Sequence, residues 1–277
     1  MNKKKVLLIG GAGFIGSHLF FSGKHDYDVA DRTTTGDIVP TSPRINLPRR
    51  NYDCVVFLAA EPNLRSAIQY PERAFKTLTQ GLMNAIAHYP SSHFVYVSSS
   101  MVYGNWTSCT MYEEDPCAPT NIYGQLKLLG EGIVKQWHKD WSIVRPSAVY
   151  GPNDNPNRLV TLFINKIKAG ETITLQGADN LFDFTHVADV VQGLELVIDS
   201  APSGKTYNIT RGEAHSLQAM TDMLYAKLDR YPNYTLEANP PNYPTRGKLG
   251  INRAYNDLGY QPEYTLDRGL DDTINKS

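Results

Sequence analysis

The stretch Val6-Leu7-Leu8-Ile9-Gly10-Gly11-Ala12-Gly13-Phe14-Ile15-Gly16-Ser17-His18-Leu19 constrains the fold more than any other part of the chain. Four consecutive apolar residues read as a strand buried on both faces, and the glycines turn the chain straight into a helix that begins near Phe14. Gly10, Gly13 and Gly16 follow a G-x-x-G-x-x-G spacing. That spacing permits a tight turn and lets the backbone approach a pyrophosphate set on the helix N–H groups. The next strand, Asp28-Val29-Ala30, ends at Asp31, about twenty residues past the first glycine, where a carboxylate suits a ribose diol. A Gly-rich turn without a ligand is the competing explanation. The strand before it, the helix after it and the spacing of Asp31 count against that explanation.

A chain of 277 residues with 41% hydrophobic content can bury a substantial core. A formal charge of −1 leaves no basic excess for nucleic acid or an anionic membrane, and Lys3-Lys4-Lys5 reads as a solvated lead-in to the first strand. The opening apolar run is about five residues long, too short for a signal-peptide core or a membrane span, so a cytoplasmic location is expected. Cys54, Cys109 and Cys117 are odd in number and lack metal-ligand spacing. They read as free thiols in a reducing compartment, and no metal is expected.

Between Asp31 and Asp53 the chain is polar and broken by Pro40, Pro43 and Pro48, which leaves little room for a crossover helix. Cys54 to Ala60 reads as a buried strand, Ser66 to Ala87 as a long helix punctuated by Pro71 near its beginning and stopped before Pro90, and Phe94 to Val97 as a strand running into Ser98-Ser99-Ser100. A helix carrying Tyr123 and Lys127 follows, then a strand over Trp141 to Val144. Strands alternating with helices predict a Rossmann-like, doubly wound parallel sheet over residues 1–150. After Tyr150 the texture changes. The turn-rich Gly151 to Pro156, helices over Leu159 to Ala169, Leu217 to Leu228 and Leu266 to Ile274, and short strands near Thr172 to Leu175 and Thr206 to Ile209 predict a smaller mixed α/β lobe over 151–277. Its boundary is blurred, because elements can return to the first sheet.

Tyr123 and Lys127 are four residues apart and share one face of a helix. A cation beside a phenol favours phenolate and lowers its pKa from about 10 toward neutrality, where it exchanges protons with an alcohol. A hydroxyl from the serine run can bond the same substrate oxygen. Such a trio suits hydride transfer between a carbinol carbon and a nicotinamide. Alone, a Tyr-x-x-x-Lys pair is common on helices. Its position downstream of a dinucleotide turn and just after a serine-ended strand gives it weight.

Gly10 to Gly16, Ser98-Ser99-Ser100-Met101-Val102-Tyr103-Gly104, Tyr123-Gly124-Gln125-Leu126-Lys127 and Val144-Arg145-Pro146-Ser147-Ala148-Val149-Tyr150-Gly151-Pro152 together resemble the extended short-chain dehydrogenase/reductases. Within them the resemblance is to the nucleotide-sugar epimerases, dehydratases and reductases. Phe182 to Val190 and Leu258-Gly259-Tyr260-Gln261-Pro262 extend it along nearly the whole chain. The resemblance implies that Tyr123 is the acid/base, Lys127 its partner and a ribose ligand, and Ser99 the hydroxyl, with Ser98 or Ser100 as alternatives. It implies NAD held by Gly10, Gly13, Phe14, Ile15, Gly16, Asp31, Leu58, Ala59, Ala60 and Pro146, with Asn46-Leu47 standing where the family contacts adenine. Arg32 leaves NADP open. Ser99, Met101, Tyr123 and Arg246 are implied to face a substrate, a nucleotide sugar.

Departures from the family pattern narrow the chemistry. Dehydratases of the family follow the hydroxyl with Asp-Glu, where this chain has Ser100-Met101, so water loss is disfavoured. Epimerases usually carry Asn and Arg where Ala148 and Phe182 stand, and an Asn where Leu78 stands. The expected function is an NAD-dependent epimerase acting through a transient keto-sugar. A net reductase or dehydrogenase using NAD(P)H, and a cofactor-binding regulatory protein without turnover, are the alternatives. Relatives pair through the two long helices, which implies a homodimer. Asp183 and Asp189 read as hydrogen-bonding ties between the lobes, and His18, His186 and His215 as structural.

Overall fold

In β1 (Lys5–Ile9) successive side chains face opposite cores, Val6 and Leu8 one, Leu7 and Ile9 the other. A strand covered on both sides must lie inside a sheet flanked by two helical layers, which is why its apolar run is unbroken. The computed structural model describes residues 3–31, 47–61, 64–106, 108–239 and 243–276. Within them β2 (Asp26–Ala30), β3 (Cys54–Phe57), β4 (His93–Val97), β5 (Trp141–Arg145) and β6 (Lys205–Asn208) join β1. They form one parallel sheet in the order β6-β5-β4-β3-β1-β2. Its sixth strand comes from beyond residue 151.

The helices are α1 (Phe14–Ser22), α2 (Leu64–Gln69), α3 (Pro71–Lys76), α4 (Leu82–His88), α5 (Ile122–Trp137), α6 (Leu159–Ala169), α7 (Val187–Ser200), α8 (Leu217–Lys227), α9 (Asn252–Leu258) and α10 (Leu266–Asn275). Leu19 of α1, Val190 and Leu194 of α7 and Ala254 of α9 share the core of Val6 and Leu8. Ala67 of α2, Ala74 of α3, Leu82 of α4 and Leu126 of α5 share the core of Leu7 and Ile9. A third core gathers Phe163 and Ile164 of α6, Leu224 of α8 and Leu270 of α10 around Tyr150 and Phe182.

Several elements differ from the sequence expectation. The helix expected over Ser66 to Ala87 is interrupted at Pro71, as that residue predicts, and from Pro71 to His88 it runs on through α3, a π-helical turn at Thr77–Gly81 and α4. The strand expected to reach Ala60 ends at Phe57. α7 and α9 were not anticipated: within the Phe182 to Val190 motif the short strand Thr185–His186 leads directly into α7, which begins at Val187. Between Asp31 and Asp53 the sequence leaves room for no more than a short strand at 45–47, and that stretch lies largely outside the described residues.

Asp183, wholly buried, accepts hydrogen bonds from Thr210 Oγ1 (3.1 Å), Gly212 N (3.1 Å) and Leu249 N (3.0 Å). Asp189 on α7 accepts from the backbone N–H of Glu263 (2.7 Å) and Tyr264 (3.1 Å). Each carboxylate ties together segments far apart in sequence, because buried N–H groups must find acceptors.

α5 is started by Asn121, whose side chain accepts from Gly124 N at 3.0 Å. Its inner face meets β4 so closely that a Cβ on Gly130 would stand 2.2 Å from the Tyr96 hydroxyl oxygen. Gly130→Ala is therefore expected to lower stability by about 1–3 kcal/mol, the usual cost of overpacking a filled core. A drop in the thermal or urea midpoint relative to wild type checks it.

Candidate active site

Five of the six strands of the sheet, β1 to β5, end on one side at a single cleft of about 420 Å³. Gly10 to Gly16 enter it from the end of β1, Asp31 from β2, Leu58 to Ala60 from β3, Ser98 and Ser99 from β4, and Pro146 and Ala148 from β5. In an open parallel sheet the crevice forms where neighbouring connections leave in opposite directions, here beside β1 between β2 and β3.

The glycine turn is built for close approach. Gly10 has φ +84°, and a Cβ there would lie 2.6 Å from the Ala59 backbone nitrogen. At Gly16 a Cβ would lie 2.6 Å from Gly11 Cα, so α1 can start against the turn only with glycine there. The first turn of α1 carries no acidic side chain, so the partial positive charge of its N–H groups is left for an anion in the cleft. Asp31 Oδ2 accepts from Ala12 N at 3.2 Å, which fixes the carboxylate at the rim of the turn. A dinucleotide fits this donor set: N–H groups for its phosphates, a carboxylate for a ribose diol, and small side chains at Ala59 and Ala60.

Ser99, Tyr123 and Lys127 line the same cleft. The serine run sorts itself by its partners. Ser98 Oγ donates to Glu131 at 2.6 Å and Ser100 Oγ to Ser147 Oγ at 3.1 Å. Ser99 caps the 3-10 turn Ser100–Tyr103, accepts from Met101 N at 3.2 Å and hydrogen-bonds the Tyr123 hydroxyl. Lys127 is buried, its Nζ donates to the Val97 carbonyl at 2.7 Å, and it stands 5.9 Å from the Tyr123 ring centroid.

The electrostatics correct one expectation. Lys127 was expected to lower the Tyr123 phenol. Burial instead raises Tyr123 above its ordinary value, and the groups pulling it down are Arg158 and Ser99. Lys127 is itself brought down to about 7 by burial, with Glu131 opposing. An ammonium removed from water loses the charge it would lend to a neighbour.

Two further expectations fall differently. Leu47 does not line the cleft; it is 5% exposed and belongs to the same core as Tyr52 and Tyr89. Arg32 and Asn46 lie outside the described residues. Arg246 sits between the rings of Phe182 and Tyr243, 5.2 and 5.4 Å from their centroids, and reaches the sulfur of Met101. Two aromatic faces thus hold this guanidinium.

Arg158, Glu61 and Thr77 also line the cleft and were missed by sequence reasoning. Glu61 is buried and bound by both Nε (2.5 Å) and Nη2 (2.8 Å) of Arg73. The signal for Arg158 was the spacing of Asp154 and Arg158, four apart in a turn-rich passage. Ala148 adopts φ +36°, a left-handed conformation uncommon for a residue with a side chain. Among the described residues no group of three or more His, Cys, Asp or Glu gathers where a metal could be held, and no helix is long and apolar enough to cross a membrane.

The chain is similar to known proteins along nearly its whole length. The chain is 26% identical to a dTDP-glucose 4,6-dehydratase of Streptomyces niveus over 98% of its length and 91% of the relative's. It is 26% identical to a putative UDP-glucose 4-epimerase of Methanocaldococcus jannaschii, over 98% and 97%. The structure of MoeE5 in complex with UDP-glucose and NAD superposes with a TM-score of 0.88 at 25% identity, covering 98% of both chains. The profile of the NAD dependent epimerase/dehydratase family matches residues 6–210. With its cleft, its glycine turn and this match over most of its length, the chain belongs to the NAD dependent epimerase/dehydratase family.

Proposed function

We propose that the protein is an NAD-dependent epimerase of a nucleotide-linked sugar, which oxidises a ring hydroxyl to a keto-sugar and reduces it again from the opposite face. The observation that carries this reading is the meeting of Ser99, Tyr123 and Lys127 in the cleft of the glycine turn, with Ser100 and Met101, not acids, beside Ser99. When bound, NAD accepts a hydride from a carbinol carbon and gives it back. The Gly10 to Gly16 turn holds its phosphates, Asp31 the adenosine ribose, and Lys127 the nicotinamide ribose, while Leu58, Ala59, Ala60 and Pro146 line its path. Tyr123 takes the proton of the substrate hydroxyl and later returns it, and Ser99 hydrogen-bonds the same oxygen. Arg246 and Met101 face the sugar nucleotide, with the guanidinium drawn to its diphosphate. Ser100 is hydrogen-bonded to Ser147 and Met101 has no proton to give, so neither supports the loss of water that dehydratases catalyse.

A net reductase of a keto-sugar with exchangeable NAD(P)H is the second reading, favoured by Ala148 and Phe182 in place of the usual Asn and Arg. The free thiols of Cys54, Cys109 and Cys117 support a cytoplasmic setting. A homodimer is supported by the outer face of α5, where Leu129 is 44% and Trp137 65% exposed, and by Ile68 and Phe75 on α2 and α3, at 62% and 52%.

UDP-glucose or dTDP-glucose added to the NAD-loaded protein is expected to yield the epimeric sugar with no net change in nicotinamide absorbance. Tyr123→Phe is expected to slow this at least about 100-fold. Nuclear magnetic resonance of the product decides: a dehydrated keto-deoxy sugar, or stoichiometric consumption of reduced cofactor, overturns the epimerase. Trp137→Glu is expected to halve the mass measured by light scattering at micromolar concentration, and a wild-type monomer under the same conditions overturns the dimer.

A further inference from the structure

The cleft contains a cation to which the family resemblance assigns no role. Arg158, the residue that starts α6, lines it together with Ser99, Tyr123 and Lys127. Three contacts fix the guanidinium. Nη2 donates to the Val149 carbonyl at 3.0 Å, Nε stands 3.3 Å from Asp154 Oδ2, and Cζ lies 5.6 Å from the Phe14 ring centroid. The Asp154 side chain is 1% exposed and that of Arg158 25%, so the carboxylate is sealed behind while the guanidinium keeps an open side. Burial pushes the Asp154 carboxyl up to about 6 against the pull of Arg158, which ties the two together as a pair.

The other charged groups around Tyr123 are already engaged. Lys127, on the same helix, donates to Val97 and answers to Glu131. Glu61 is bound by Arg73, and Asp31 accepts from Ala12 at the rim of the glycine turn. Ser99 offers a neutral hydrogen bond.

We propose that Arg158, braced by Asp154, is a positioning residue for the proton transfer: its fixed positive charge, in the same cleft as the Tyr123 hydroxyl, favours the ionised phenol that removes a proton from substrate. This rests on the reading of Tyr123 as the proton carrier. A permanent guanidinium suits the task better than a lysine brought down to about 7, because it keeps its charge at any working pH.

The test is the titration of one phenol. Full-length protein carrying tyrosine labelled with carbon-13 at Cζ gives one resonance that disappears in Tyr123→Phe and so belongs to Tyr123. Arg158→Gln is expected to raise the midpoint of that resonance by at least about half a pH unit, and Arg158→Lys to restore most of the shift. In step with it, the acid limb of kcat/KM for epimerisation of UDP-glucose moves to higher pH in Arg158→Gln. Equal midpoints in wild type and Arg158→Gln, or a lysine variant displaced as far as the glutamine one, overturn the proposal. Arg158→Met gives the same comparison should the glutamine variant fail to fold. If Tyr123→Phe keeps full activity, the proton-carrier reading falls while the resonance still decides where Arg158 acts.

Discussion

One buried ion pair puts the reactive groups in register. Arg145 at the end of β5 grips Glu131 of α5 with two hydrogen bonds, Nε to Oε1 at 2.8 Å and Nη2 to Oε2 at 2.7 Å, and both side chains are almost wholly enclosed. Glu131 also accepts from Ser98 at the end of β4, and Arg145 donates to the Tyr103 hydroxyl. A single carboxylate therefore links the helix that carries Tyr123 and Lys127 to the two strands that carry Ser99 and Pro146. Such a pair adds little net stability, because both charges leave water. Its loss on one side strands the other charge at a cost of about 3–5 kcal/mol. Its contribution is geometric: it fixes how far α5 can slide along the sheet.

The cleft shows how burial shapes the electrostatics. Enclosure raises the phenol and lowers the ammonium beside it, so burial favours the neutral form of both groups. A guanidinium resists that shift, and a bound dinucleotide with its phosphates near α1 changes the balance again. The family spacing of tyrosine and lysine is thus a statement about proximity, while the charge on each group is set by everything else that walls the site.

Much of this was legible in the residues. The Val6 to Ile9 run, the glycine spacing and the serine-ended β4 are local patterns, each dictated by a backbone that must turn tightly or lie between two cores. The same holds for the helix of Tyr123 and Lys127, whose Asn121 cap stands in the sequence. Other features were set by contacts distant in the chain. Leu47 is a core residue because Tyr52 and Tyr89 close over it, and no local pattern separates that from an adenine contact. α7 follows directly on the short strand Thr185–His186, and its Asp189 is buried and bonded to the remote Glu263 and Tyr264 backbone, a contact that no local pattern states. The break at Pro71 was visible, but its consequence for the helix beyond it, the π-helical turn at Thr77–Gly81, was not.

The placement of β6 reaches beyond the finished molecule. A growing chain that has been synthesised only as far as Tyr150 possesses five of the six strands, and on the face of Val6, Leu8 and Val56 it has α1 alone for cover, because Val190, Leu194, Tyr207 and Ala254 are still to come. That part of the sheet must wait on the ribosome with an apolar surface only partly covered, so completion of this fold depends on the stretch from Val187 to Leu258 being translated before that surface finds another partner.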